Sequence, residues 1–408
     1  MKLIHTSDWH LGRLLYTKKR YDEFEAFLNW LVDLINSEKI DILLIAGDVF
    51  DTSTPSNKAQ ELYYSFLGKI TQTTCRHVVV IGGNHDSPTF LDAPKMILNV
   101  LNVHVIGAVT ENIQEEIIIL NDEQGKVEAI VCAVPFLRDQ DIRKVGQAES
   151  IEDKNEKLLQ GISAHYREIS GRANQLKDEV GNVPVVGMGH LFTRNAKTTD
   201  GDGVRELYIG TLAHVDEQTI SEGFDYMALG HLHLAQSVEG SEKVRYSGSP
   251  LPMGFSEAGQ EKKVIIVDFD QNTPTIREHT VPCTQELKKF TGDIDSIRNQ
   301  IIGLIQSDSD AWLEIEITSD EILTDLTSVL DELVKESGME ILRMKSRAIT
   351  EKALGRMNIT ETLETLDPSV VFSRCLDAYE IEEEERSELI STYSEVVISM
   401  HTSDSNNN

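Results

Sequence analysis

The segment IDILLIAGDVFD, residues 40–51, decides the fold of the larger part of this chain. It begins with an almost continuous apolar run, which is typical of a strand buried on both faces of a parallel sheet. Gly47 ends the run, and Asp48 and Asp51 follow it. Because ligands of open α/β sheets bind at the carboxyl ends of strands, the segment predicts a strand that carries an acidic side chain to a binding site.

The same pattern extends in both directions from this segment. Residues 21–36 carry apolar side chains at helical spacing, residues 56–70 predict a second helix, and HVVVIGG at 77–83 predicts a strand. Further strands are expected at 3–5, 115–120, 127–133, 184–189, 225–230, 244–247 and 263–269, with a helical excursion at 145–180 and a polar loop at 193–205. Strands that alternate with helices predict an α/β architecture with a central sheet or a pair of sheets.

Four further polar clusters follow predicted strands, as Asp48 does. They are Asp8-Trp9-His10, Asn84-His85-Asp86, Gly189-His190 and His231-Leu232-His233. Each residue has an ordinary explanation by itself: Asp48 and Asn84 as turn or capping residues, and His190 as a buried imidazole. Together the clusters repeat one order, in which an apolar strand, a glycine or small polar residue and a metal-competent side chain follow each other. That repetition predicts a metal centre where the strand ends converge.

These clusters spell the motifs D-x-H, G-D-x-x-D, G-N-H-[DE], G-H and G-H-x-H, in that order. The set resembles the calcineurin-like metallophosphoesterase superfamily, which implies an α/β fold with a β-sandwich flanked by helices. The segments TSDWHLGR, AGDVFD, GGNHDSP, DYMALGHLH and YSGSPLPMGFSE also resemble the nuclease subunits of bacterial ATP-driven DNA-processing complexes, the counterparts of Mre-type nucleases.

The resemblance implies two divalent metal ions, with manganese as the metal that the family favours. One ion would be held by Asp8, His10, Asp48 and His233, and the other by Asp48, Asn84, His190 and His231. A bridging carboxylate is physically reasonable, because it has lone pairs for two cations and offsets the repulsion between ions roughly 3.5–4 Å apart.

The resemblance also implies a catalytic step in which the metals activate water for in-line attack on phosphorus. His85 is then the candidate for protonating or stabilising the leaving oxygen. Asp86 either orients His85 or caps a helix. Asp51 stands where some relatives carry a histidine, so we interpret it as a residue that supports a metal ligand or as a structural residue.

The net charge of −30 opposes DNA binding, because strong acidity repels phosphate at long range. Two effects would resolve this conflict. Bound divalent metals can invert the local potential, or a partner can supply the DNA-binding surface.

The sequence changes character after Pro282. Residues 1–280 would form the nuclease domain, and residues 284–347, with helices near 293–306 and 320–337 and strands at 312–317 and 339–345, a small α+β domain. The resemblance implies that this is a capping domain that selects the DNA shape; the alternative is a small stabilising domain.

Residues 350–402 would form a helical tail that docks on the ATPase subunit or packs on its own chain. Residues 403–408 would be a disordered end.

The partners that the resemblance implies are an ABC/SMC-type ATPase subunit in a heterotetramer, DNA ends and hairpins, and a second copy of this chain. The helices at 58–70 and 90–101 have apolar faces that suit such a homodimer, or that belong to the core.

Four cysteines lie far apart in the sequence, which disfavours a cysteine zinc site and a disulfide framework and suits a reducing cytoplasm. The chain shows neither a signal-peptide pattern nor the roughly 18 apolar residues of a membrane span. We therefore expect a cytoplasmic, nucleoid-associated protein without membrane contact.

The function that follows is a metal-dependent DNA nuclease, with double-strand exonuclease and single-strand endonuclease activities in repair, recombination and replication. One alternative is a metallophosphoesterase that acts on a small substrate such as a cyclic nucleotide, or on a phosphoprotein. A second alternative is a non-catalytic scaffold of the same fold. Intact motifs at every ligand position favour the enzyme.

Overall fold

A computed structural model describes most of this chain. The described residues are 1–142, 151–193, 196–197, 215–238, 240–318 and 323–346, with the single positions 372, 376, 386, 389, 390, 392 and 393. They divide between two compact units, Met1–Glu286 and Leu287–Asn408. The loop expected at 193–205, most of the helical tail at 350–402 and the end at 403–408 lie outside these residues.

The strands and helices are numbered in chain order. The strands are β1 (Lys2–Thr6), β2 (Leu14–Leu15), β3 (Lys18–Lys19), β4 (Ile42–Ala46), β5 (His77–Ile81), β6 (Val103–Ile106), β7 (Ile117–Asn121), β8 (Val127–Ala133), β9 (Val185–His190), β10 (Tyr226–Gly230), β11 (Gln236–Val238), β12 (Ser241–Tyr246), β13 (Lys263–Asp270), β14 (Thr273–Thr280), β15 (Leu287–Gly292), β16 (Trp312–Ile317) and β17 (Glu340–Ser346). The helices are α1 (Tyr21–Glu38), α2 (Asn57–Ile70), α3 (Pro88–Asp92), α4 (Lys95–Val100), α5 (Asp139–Ile142), α6 (Ile151–Val180), α7 (Glu217–Ser221), α8 (Ile294–Gln306) and α9 (Leu323–Val334).

Two six-stranded sheets form the first unit. One has the order β14-β13-β1-β4-β5-β6, and the other has the order β11-β12-β10-β9-β8-β7. In the first sheet, β1, β4, β5 and β6 are parallel, and β13 pairs antiparallel with β1. In the second sheet, β8, β9, β10 and β12 are parallel. The carboxyl ends of the parallel strands therefore lie at one edge of each sheet.

The two sheets pack face to face, and helices cover their outer faces. Strand β4 shows this arrangement: Leu44 packs between the sheets, whereas Leu43 faces the core under α1 and α2. Helices α6 and α7 cover the second sheet in the same way. Burial on both faces explains the continuous apolar run at 40–46. The α/β class and the β-sandwich flanked by helices, both expected from the sequence, are confirmed.

The second unit contains a parallel three-stranded sheet in the order β15-β16-β17. One face of β16 carries Leu313, Ile315 and Ile317, which pack against α8 and α9. The strands and helices expected at 293–345 are present, with ends that differ by a few residues. In the part of the chain that is described, we find no helix both long and apolar enough to cross a membrane.

Candidate metal centre

The loops that follow β1, β4, β5 and β10, together with the last residue of β9, bring the predicted side chains together. Backbone hydrogen bonds tie the first two loops to each other: the Asp8 amide donates to the Gly47 carbonyl at 3.0 Å, and the His10 amide donates to the Asp48 carbonyl at 3.0 Å. The Asp8 carboxylate accepts the backbone N–H of His231 from the second sheet at 2.9 Å. The carboxyl ends of both sheets thus meet at one centre.

Glycines allow this crowding. A Cβ atom on Gly83 would lie 2.1 Å from Oδ1 of Asp48, and a Cβ atom on Gly230 would lie 1.9 Å from the carbonyl oxygen of Ala46. Both distances are below any real contact, so these two positions require glycine.

Four of the predicted ligands have left-handed backbone conformations. They are Asp8 (φ 53°), His10 (φ 47°), Asp48 (φ 50°) and His231 (φ 102°). Such conformations cost free energy in residues with a side chain and persist where the surroundings impose them. The loops therefore hold these side chains in place at the expense of local backbone stability.

The first ligand group consists of Asp8, His10 and His233, whose ligand atoms all lie within 4.8 Å of one another. All three residues are buried. The Nε2 atoms of His10 and His233 face each other at 3.2 Å.

The second ligand group consists of Asp48, Asn84, His190 and His231. Oδ1 of Asn84 lies 3.0 Å from Nε2 of His190 and 3.0 Å from Nδ1 of His231. Oδ2 of Asp48 lies 3.3 Å from Nε2 of His190 and 3.7 Å from Nε2 of His10. Asp48 is therefore in reach of both groups.

The hydrogen bonds of the histidines show that cations fit between these side chains. Nδ1 of His190 lies 2.9 Å from the Ala46 carbonyl, which can only accept a proton. Nδ1 of His233 lies 3.0 Å from a Glu257 carboxylate oxygen. Both rings therefore use Nδ1 as a donor and turn Nε2 towards the ligand atoms of neighbouring predicted ligands. A metal ion between these atoms would take the place of a proton on Nε2 and be coordinated by them.

The electrostatics point to the same need for positive charge. Burial would raise the pKa of Asp48, but His190 and the other imidazoles hold that pKa well below its usual range. Burial likewise lowers the pKa of His190, yet Asp48 raises it to about 9. Burial and the neighbouring His190 hold the pKa of His231 well below its usual value. The carboxylates thus favour a proton on one imidazole, in a place where a divalent cation would satisfy them more fully.

His85 lies beside the first ligand group, and its ring is 4.8 Å from that of His10 between centroids. Its Nδ1 atom lies 2.7 Å from the main-chain carbonyl oxygen of Asp51, so Nδ1 carries the proton that it donates. The backbone amide of His85 also donates to Oδ1 of Asp48 at 2.8 Å. Nε2 is left as the ring atom that can exchange a proton with a substrate.

Asp86 has neither of the two roles considered for it, because Ser87 caps the helix that follows and Asp86 makes no bond to the His85 ring. Its carboxylate accepts backbone N–H groups from Gly83, Val49 and Phe50 at 2.9–3.1 Å. It clamps the loop after β4 to the loop after β5, and the main chain of Asp51 orients His85 instead. Burial, reinforced by the charge of Asp48, raises the pKa of Asp86 to about 6.

Sequence reasoning missed two residues at this centre. Glu257 contacts His233, and Lys262 contacts Glu257. Both are buried. Glu257 ends the segment YSGSPLPMGFSE, which stood out in the sequence without a chemical role, so its acidic residue was the available signal.

Comparison with protein families agrees with this geometry. Residues 1–235 match the model of the calcineurin-like phosphoesterases, and residues 283–380 match a model described as the type 5 capsule protein repressor C-terminal domain. The fold and the metal centre define a calcineurin-like, metal-dependent phosphodiesterase of the hydrolase class.

The chain belongs, within that class, to the SbcD family, the D subunits of the nuclease SbcCD. It is 36% identical to the SbcD protein of Escherichia coli K12 over 393 residues, which are 95% of this chain and 96% of the relative. The counterpart of Bacillus subtilis is 33% identical over 327 residues, 78% of this chain and 79% of the relative. The counterpart of Rhodobacter capsulatus is 31% identical over 367 residues, 86% and 87% of the two chains.

A solved structure of a dimetal phosphatase from Danio rerio is also similar. It is 10% identical and covers 69% of this chain and 98% of its own, with a TM-score of 0.42. A likeness at this level adds nothing to the family assignment.

Proposed function

We propose that this chain is the DNA nuclease subunit of an ATP-driven complex that processes DNA ends and hairpins. The observation that carries the proposal is the pair of ligand groups that adjoin at Asp48, in a chain of the SbcD family. The activities proposed are double-strand exonuclease and single-strand endonuclease, which would place the protein at the nucleoid.

In this proposal Asp8, His10, Asp48 and His233 hold one divalent ion, and Asp48, Asn84, His190 and His231 hold the other. The mixture of oxygen and nitrogen ligands suits Mn²⁺, among other transition metals. When bound, the ions supply Lewis acids that activate water and neutralise charge on the phosphoryl oxygens.

The protein residues then have separate tasks. Asp48 balances the charge of both ions, and His85 protonates the leaving oxygen through Nε2, since Nδ1 is held by the Asp51 carbonyl. Asp86 keeps the loops of Asp48 and His85 in register through its three backbone hydrogen bonds.

The second unit offers a surface for DNA. The open face of its sheet carries Lys289, Arg343 and Lys345, whose side chains are 39%, 44% and 31% exposed. They surround Glu314, which is 3% exposed. Three carboxylates share this face with the three cations: Glu314, Glu316 and Glu340. The capping domain proposed at residues 284–347 would contact phosphate through these partly exposed cations.

The helical region at 350–402 is proposed to bind an SbcC-like ABC/SMC-type ATPase. Among its few described residues, the rings of Phe372 and Tyr393 stack with centroids 4.0 Å apart, as two adjacent helices would allow. A chain truncated near Thr350 should lose the ATPase and still bind metal. Retention of the ATPase by that truncated chain would contradict the docking proposal.

Helix α4 is proposed to pair two copies of this chain. Its Met96, Ile97 and Val100 side chains are 86%, 72% and 82% exposed, which is unusual for neighbouring apolar residues. The M96E/V100E variant should run as a monomer in light scattering at a concentration where the unchanged protein is a dimer. A monomer in both cases would contradict this pairing.

One assay tests the function itself. End-labelled linear double-stranded DNA is incubated with Mn²⁺, with and without the ATPase and ATP. Degradation that requires the metal supports the nuclease. Activity on small phosphodiesters alone would support the small-substrate alternative, and a protein with neither bound metal nor activity would be a scaffold.

A further inference from the structure

The segment YSGSPLPMGFSE and the residues just after it form a buried ionic network behind His233. Oε1 of Glu257 lies 3.0 Å from Nδ1 of His233, and Oε2 accepts the Met253 amide at 3.0 Å. Glu257 is 1% exposed. Its carboxylate is thus fully enclosed, with one oxygen committed to the histidine.

Lys262 completes the network. Its ammonium donates to Oε2 of Glu257, to the main-chain carbonyl of His233 at 3.2 Å and to the Ser249 hydroxyl at 3.1 Å. The same cation therefore binds the carboxylate that holds the imidazole and the backbone that carries it. His233 is fixed at both ends.

A buried ion pair of this kind needs a reason beyond stability. Removing two charges from water costs about as much as their attraction returns, so apolar residues of similar size would serve the fold equally well. A carboxylate behind a metal-binding histidine has a different effect, because it fixes the tautomer and the ring orientation and makes the ligating nitrogen more basic.

We propose that Glu257, held by Lys262, is the positioning residue that makes His233 a metal ligand. This proposal rests on the proposed function, since it assigns His233 to an ion. It goes further in making the two ion sites unequal: His233 has a charged carboxylate behind it, whereas His190 has only the neutral Ala46 carbonyl. Nδ1 of His10 lies 3.4 Å from Oδ1 of Asp51 without the geometry of a hydrogen bond, and Nε2 of His231 lacks a hydrogen bond among the described residues.

The test measures Mn²⁺ binding by titration calorimetry and by electron paramagnetic resonance, independently of turnover. In Glu257→Leu, the ion site of Asp8, His10 and His233 should lose roughly 10–100-fold in affinity, as for other residues behind metal ligands. The signal of a spin-coupled ion pair should give way to that of a single ion. Glu257→Gln should restore much of the binding, because its amide oxygen can still accept the Nδ1 proton of His233.

A matched control exists in the second sheet's half of the same unit. Glu116 is also a fully buried carboxylate paired with a histidine, 2.7 Å from Nε2 of His165. Glu116→Gln should leave both ion sites unchanged. If Glu257→Leu does not fold, the E257L/K262M variant removes both charges together and should show the same loss at one site.

The outcomes separate the two proposals. Absence of Mn²⁺ binding by the unchanged protein would overturn the proposed function. The positioning role alone would be overturned if folded Glu257→Leu or E257L/K262M bound Mn²⁺ with undiminished affinity. This conclusion applies when the unchanged protein binds two ions and His233→Ala weakens one site.

Discussion

The strand-end loops of the first unit and the three-stranded sheet of the second unit contain charged side chains in very different settings. In the loops, Asp8 and Asp48 are buried on a left-handed backbone and depend on glycines for space. In the sheet, Lys289 and Lys345 lie on regular strands and remain partly exposed. The loops hold their side chains in one geometry, so we expect few substitutions to be accepted there. The exposed side chains of the sheet are less constrained, so we expect more substitutions to be accepted. That contrast separates the proposed place for chemistry from the proposed place for phosphate contact.

The largest expected effect is that of Asp48→Asn. The substitution removes the carboxylate that lies in reach of both ligand groups, so both ions and all DNA cleavage should be lost while the fold remains. Metal content and nuclease assays on the purified variant measure this. An active Asp48→Asn variant that retains two ions would contradict the contrast, because the loops would then accept substitutions as readily as the sheet.

His85→Gln should separate metal binding from chemistry. The substitution leaves every proposed ligand intact and removes the proton donor, so turnover should fall roughly 10²–10⁴-fold with unchanged metal content. Single-turnover cleavage at saturating Mn²⁺ is the measurement. Unchanged turnover would show that His85 has no catalytic role.

Gly83→Ala tests the space requirement directly. The added methyl group would collide with the Asp48 carboxylate, so metal affinity should fall and the protein should unfold at a lower temperature. Calorimetry with and without Mn²⁺ gives both values. Wild-type affinity in this variant would mean that the loops can relax.

The smallest expected effect is in the second unit. Gly303 lies inside α8, and its Cβ position meets no atom within 4 Å, so Gly303→Ala should stabilise the helix by roughly 0.5–1 kcal/mol. Denaturant unfolding of this unit's signal checks it. Nuclease activity should not change, in contrast to Gly83→Ala.

Much of the metal centre follows from the sequence, because each predicted ligand comes directly after a buried strand and strand ends share an edge. His233 and Asp48 could be predicted as ligands without knowing how the chain between them folds. Glu257 could not be predicted in this way, because its contact with His233 depends on how an irregular segment folds, and that segment has no periodic sequence pattern. The roles of Asp86 and of the Asp51 carbonyl were hidden for the same reason.

Parts of the fold were equally difficult to predict. Strand β14 is a polar edge strand that alternates between exposed and half-buried residues, so it lacks the apolar run that marked β4. The short strand β6 follows α4 closely, and no strand was predicted for it. In both cases a neighbouring strand supplies the ordering that the local sequence lacks.

The order in which the two sheets receive their strands has a consequence for synthesis on the ribosome. Strand β1 pairs with β4 from early in the chain and with β13 from much later, and Asp8 meets His233 only when both sheets exist. A nascent or prematurely terminated chain that stops before His231 lacks two of the proposed ligands, His231 and His233. Translation therefore cannot release an early-terminated product with both proposed ion sites, which can be complete only after most of the first unit has been synthesised.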